Sequence, residues 1–75
     1  MNQRLKEVMI ARYKAVIEDS KYKIKCYSDR EIIIPEHPDI TLEIDKLLET
    51  MANAEEKLAT IELHYGKNET EKAIL

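Results

Sequence analysis

Residues able to do chemistry are few in this 75-residue chain: one cysteine, Cys26, and two histidines, His37 and His64. Cys26 has no histidine near it in sequence to take its proton, and it alternates with Ile24 as an inward position of a short strand, so it reads as a packed thiol. Glu36, His37 and Asp39 place three donors in a proline-rich bend. Their spacing matches no metal site, and the bland reading is a solvated connector whose acid caps the next helix. His64 falls in the last turn of a helix, where a cation opposes the negative end of the dipole. A phosphate-cradling loop needs several glycines, and Gly66 is the only one. No catalytic, cofactor-binding or metal-binding residue is assigned, and the chain is read as a non-enzyme.

A basic set, Lys21, Lys23, Lys25 and Arg30 with Tyr27 among them, is the one candidate for touching phosphate or an acidic partner. On a strand, Lys23, Lys25 and Tyr27 share a face, the interleaving a surface that tracks a nucleic-acid backbone would use. The solvated outer side of a hairpin has the same pattern, and edge lysines also block unwanted strand pairing.

The element that organises the chain is the stretch 40–65. Its apolar residues fall at Ile40, Ile44, Leu47, Met51, Ala54, Leu58, Ile61 and Tyr65, in alternating steps of four and three. A helix that keeps this spacing presents one apolar seam to a partner helix. Leu48 lies beside the seam as an extra contact, and the remaining flanks are polar and mostly acidic. Asp39, or else Thr41, is the expected N-cap, with Glu43 and Asp45 suited to the positive dipole end. Gly66 is expected to stop the helix in a left-handed conformation. As a helix the stretch runs roughly 39 Å at about 1.5 Å per residue, long for so short a chain to cover unaided. With one cysteine and hence no internal disulfide, self-association is the ordinary remedy. Ile44, Leu47, Met51, Leu58, Ile61 and Tyr65 are the residues expected to form that interface, in a dimer or larger homo-oligomer.

The rest of the chain is read in order. Residues 3–19 form an amphipathic helix with Leu5, Val8, Met9, Tyr13, Val16 and Ile17 on its apolar face and Arg12 set within that face. From Tyr22 the period changes to two: Tyr22, Ile24 and Cys26 alternate with Lys23, Lys25 and Tyr27. A break at Ser28 to Arg30 follows, then the run Ile32, Ile33, Ile34, so residues 21–34 are predicted as a β-hairpin. The rival reading continues the first helix through Lys25. Residues 35–39 connect to the long helix, and 67–75 form a tail or short helix after a capping-box pattern at Asn68 and Glu71. The predicted class is α+β, mostly helical, one domain over 1–75 with antiparallel helical packing. The order helix, hairpin, helix resembles that of prefoldin subunits in architecture alone and implies no function.

Charge is uneven along the chain. Residues 1–30 carry eight Lys or Arg against four Asp or Glu, a net +4, and residues 31–75 carry four against eleven, a net −7. Opposite halves can attract within one chain or between antiparallel chains. Five charges within Met1 to Lys14 rule out a signal peptide or membrane span there, so a cytoplasmic location is expected. The expectation is a small oligomeric protein that binds another protein as an adaptor, inhibitor or regulatory partner, of phage or mobile-element type. The alternatives are a nucleic-acid-binding regulator using the basic hairpin and a structural assembly component.

Overall fold

A computed structural model describes residues 1–29 and 39–66. Two α-helices make up almost all of them, α1 Gln3–Ser28 and α2 Ile40–Tyr65. They pack side by side as an antiparallel helical hairpin. No strand occurs among the described residues, so the fold is all-α rather than α+β.

The predicted β-hairpin over 21–34 is therefore corrected: α1 does not stop at residue 19 but runs to Ser28. The alternation of Tyr22, Ile24 and Cys26 is a by-product of a different pattern. Lys6, Ile10, Tyr13, Ile17, Ser20, Ile24 and Tyr27 follow one another in steps of four and three, the same heptad spacing as the α2 seam. A helix keeps that pattern on one face along its whole length, whereas a strand would send residues three apart, such as Ile24 and Tyr27, to opposite faces. Nor does the stretch contain a glycine or proline to break the helix. The second predicted strand, 31–34, and the tail, 67–75, lie outside the described residues, and with the first strand gone the architectural likeness to prefoldin subunits goes too.

Both N-termini are capped by side chains. Asn2 accepts a hydrogen bond from the Leu5 amide at 2.8 Å, and Asp39 accepts one from the Leu42 amide at 3.1 Å and another from the Thr41 hydroxyl. Each bond satisfies one of the N–H groups that the first turn leaves free. The bonds to Thr41 and Leu42 hold the Asp39 carboxyl below its ordinary pKa. At the other end of α2 the Gly66 amide donates to the Glu62 carbonyl at 3.1 Å, but with φ −68° and ψ −30° the glycine is right-handed, not left-handed as expected. Crowding explains the residue type instead, because a Cβ at this position would collide with the Glu62 carbonyl oxygen.

The register of the hairpin follows from its open end, remote from the connector, where the Lys6 ammonium donates to the Tyr65 carbonyl oxygen at 3.0 Å. Counting inward along both seams sets Ile10 level with Ile61, Tyr13 with Leu58, Ile17 with Ala54, Ser20 with Met51, Ile24 with Leu47 and Tyr27 with Ile44. At the centre a small residue always stands level with a large one. This lets the helices approach closely: Ser20 is 1% exposed and Ala54 3%. Ile61 is the third buried residue, and no other described side chain is fully buried. The rest of the seam is half-buried, with Tyr65 at its exposed end.

Candidate functional site

In α1, Lys21, Lys23 and Lys25 do not form the face that a strand would have given them. At about 100° per residue, Lys21 and Lys25 share one side of the helix while Lys23 stands across it. Each is engaged by an acid of its own helix: Lys21 with Glu18 at 3.5 Å, Lys23 with Asp19 at 3.0 Å and Lys25 with Asp29 at 2.7 Å. Exposed pairs of this kind stabilise a helix slightly, and each acid offsets the positive charge that its lysine offers to a phosphate. Arg30 lies outside the described residues, as do Glu36 and His37. Of the suggested metal donors only Asp39 is described, and it serves as the N-cap of α2. Among the described residues no three His, Cys, Asp or Glu side chains cluster as a metal site would require.

Cys26 is half-buried on α1. Its side chain stands one turn from the phenol of Tyr22, and its proximity raises the Tyr22 pKa above its ordinary value. Cys26 also lines an open groove of about 400 Å³ with Lys23, Tyr27, Glu43 and Leu47. A second groove, of about 320 Å³, lies at the other end of the same broad face, between Met9 and Tyr13 of α1 and Lys57, Thr60 and Tyr65 of α2. There the Lys57 ammonium sits 5.4 Å from the centre of the Tyr13 ring, a cation–π contact. His64 is exposed in the last turn of α2, edge-on to Tyr65 with ring centres 6.4 Å apart.

The six residues expected at an oligomer interface, Ile44, Leu47, Met51, Leu58, Ile61 and Tyr65, all line the side of α2 that faces α1 of the same chain. α1 covers them unevenly: Ile61 is buried, Tyr65 is 40% exposed and the other four are half-buried. Sequence reasoning missed the partner seam on α1. Its signal was the four-and-three spacing from Lys6 to Tyr27, hidden because Lys6 and Ser20 are polar. The face expected to be apolar was rotated toward solvent, so Leu5 and Val8 are each 48% exposed while Ile10, omitted from that face, is half-buried.

Opposite charge separates the helices. α1 has seven basic and three acidic residues and α2 two and six, +4 against −4. Among the described residues, however, every ion pair lies within one helix and none joins the two. No described helix is long and apolar enough to cross a membrane. Comparison with protein-family models, with curated proteins and with solved structures finds no match.

Proposed function

We propose that this chain is a non-enzymatic, self-associating helical hairpin that acts by binding another protein. The observation that carries the reading is how little one copy covers: Ser20, Ala54 and Ile61 alone are buried among the described residues. Met1, Leu5, Val8, Tyr22, Leu42, Leu48, Leu63 and Tyr65 meanwhile stay exposed. Two helices have a single interface, and the described residues bury little of the apolar area that ordinarily outweighs conformational entropy. Association with further helices supplies it. The scarcity of reactive groups and the in-helix pairing of the lysines favour protein binding over catalysis or phosphate contact.

Mass measured by light scattering or sedimentation across concentration tests the first half of the reading; a single-copy mass with full helicity at every concentration refutes it. Replacing Leu47 and Leu58 by Asp puts two charges into the half-covered seam and is expected to abolish both association and helicity. For the second half, affinity capture with the wild-type chain and with a Leu63→Asp variant, altered at its most exposed leucine, should recover a protein that the variant loses. Equal recovery by both would place any such contact elsewhere.

A further inference from the structure

Resting on the reading that the chain self-associates, we infer that two copies stack face to face as a four-helix bundle, each α1 lying on the second copy's α2 about a two-fold axis parallel to the helices. The stacked face is the one toward which Ile10, Ile17 and Ile24 of α1 and Ile44, Met51 and Leu58 of α2 lean.

Coverage singles out this face. On each helix the seam consists of two lines, each with steps of seven. Lys6, Tyr13, Ser20 and Tyr27 form one line of α1, and Ile40, Leu47, Ala54 and Ile61 form the matching line of α2. Because the helices run antiparallel, matching lines lean toward the same face of the hairpin. All three buried residues, Ser20, Ala54 and Ile61, belong to this first pair of lines. The second pair holds the six large aliphatic side chains, and every one of them is only half-buried. Leu48, beside them, is 51% exposed. One copy therefore leaves its most apolar line open along the hairpin. A face two helices wide, about 39 Å by about 20 Å, offers roughly 800 Å² per copy, which is what a stable interface of standard size buries on each side.

Charge selects the way the copies meet. A two-fold axis stacks two hairpins either like on like, α1 on α1 and α2 on α2, or crosswise, α1 on α2. Beside the open line α1 carries Arg4, Lys14, Lys21 and Lys25 against Glu7 and Glu18, a net +2. There α2 carries Asp45, Glu55 and Glu62 and no base, a net −3. Like-on-like stacking opposes +2 to +2 and −3 to −3, whereas crosswise stacking opposes +2 to −3 twice. Lys14, Asp45, Glu55 and Glu62 form no ion pair among the described residues, so their charges remain to be matched. The opposite face lacks this complementarity. Beside its line α1 carries Arg12 and Lys23 against Asp19, and α2 carries Lys46 and Lys57 against Glu43, +1 on each helix, while Lys6 and Ser20 interrupt the line itself. Opposite charges across an interface choose the partner surface, and like charges penalise the alternatives.

The register needs no further choice. Rotation about an axis parallel to the helices does not slide them, so residues level within one copy are level between copies. With Lys6 level with Tyr65, Lys14 falls within about 3 Å, along the axis, of the second copy's Glu55, at about 1.5 Å per residue. Lys25 likewise meets the second copy's Asp45. Ala11 comes opposite its Ala59, two small side chains that let the helices approach. The one like pair is Glu7 with the second copy's Glu62, and Glu7 is already engaged within α1 by Gln3 at 3.3 Å and Arg4 at 4.0 Å.

Cross-linking tests the arrangement. In a Cys26→Ser background, which removes the native thiol, full-length Ala11→Cys and Ala59→Cys chains are mixed and treated with a short bismaleimide. A linked dimer is expected on a denaturing gel from the mixture and from neither chain alone, because in the crosswise bundle the two α1 helices lie diagonally apart. Linking by either chain alone would show like-on-like stacking and overturn the inference. A mixture that associates by light scattering yet does not link would overturn it equally and leave the self-association reading standing; a wild-type chain of single mass at every concentration sinks both. Charge exchange supplies an independent readout should a cysteine variant misfold. Lys14→Glu or Glu55→Lys alone is expected to weaken association by about tenfold in sedimentation, and the two together to restore it. Single changes without effect, or a double exchange no tighter than they are, would exclude crosswise stacking.

Discussion

The Lys6 ammonium reaches across from the first turn of α1 to donate to the main-chain carbonyl of Tyr65, 3.0 Å away in the last turn of α2. Lys6 occupies a seam position where an apolar residue would be expected, and the contact explains why a lysine is suited there. Its stem extends the packing, while its charge meets the negative end of the α2 dipole and a carbonyl that the helix itself leaves without a partner. Replacing Lys6 by Ala should destabilise the hairpin by about 0.5–1 kcal/mol. The loss should concentrate at the open end of the hairpin, as faster hydrogen exchange of the amides from Glu62 to Gly66. Exchange as slow as in the wild type would mean that the contact carries no stability.

The same contact shows what could be read in the sequence and what could not. The bounds of α2, its Asp39 cap and its seam were legible because apolar residues mark every step from Ile40 to Tyr65 and a proline and a glycine flank them. α1 was legible only to residue 19. Beyond it, polar Ser20 occupies a core position, acceptable there because Met51 opposite needs a small neighbour, so the heptad pattern shows a gap where the packing has none. Tyr22, Ile24 and Cys26 then imitate a strand, since any helix with apolar residues on two flanks produces short runs of period two. Interaction sites were harder still. Which lysines share a face depends on the element that carries them, so an error of element type dispersed the basic face.

The centre of the hairpin is expected to tolerate little enlargement. Ala54 stands level with Ile17 and is 3% exposed, so Ala54→Leu forces the helices apart and should cost about 1–3 kcal/mol. Combining it with Ile17→Ala exchanges the large and small residues of that layer and should recover most of the loss. Urea denaturation of the single and double variants measures both. A single variant as stable as the wild type would show that the helices do not approach closely there.

Continuity of α1 through residues 20–28 can be tested with one proline. Lys23 lies in the interior of the helix, and a proline there removes a main-chain hydrogen bond and clashes with the preceding turn, for a loss of about 3 kcal/mol or more. With so thin a core, the Lys23→Pro chain should lose most of its circular dichroism at 222 nm. At a strand edge or in a turn the same change would be tolerated, so retained helicity would count against the unbroken helix.

Asp39 makes the start of α2 sensitive to acid. Its carboxylate accepts bonds from the Thr41 hydroxyl and the Leu42 amide, and these hold its pKa below the ordinary 3.8. Folding therefore favours the deprotonated form: the stabilisation is fully present above the unfolded-state value near 4 and is lost as pH falls through the lower folded value. Between pH 7 and 5 the cap should contribute a constant amount, and below pH 4 its share of the thermal midpoint should fall. Asp39→Asn keeps a capping oxygen but has no proton to gain, so it should start slightly less stable at pH 7, where it lacks the charge at the dipole end, and lose less on acidification than the wild type. Asp39→Ala should lower the midpoint by a few degrees at neutral pH and narrow its difference from the wild type in acid. Thermal melts of the three chains from pH 7 to pH 2.5 decide the matter, and parallel pH curves for all three would mean that Asp39 does not titrate with folding.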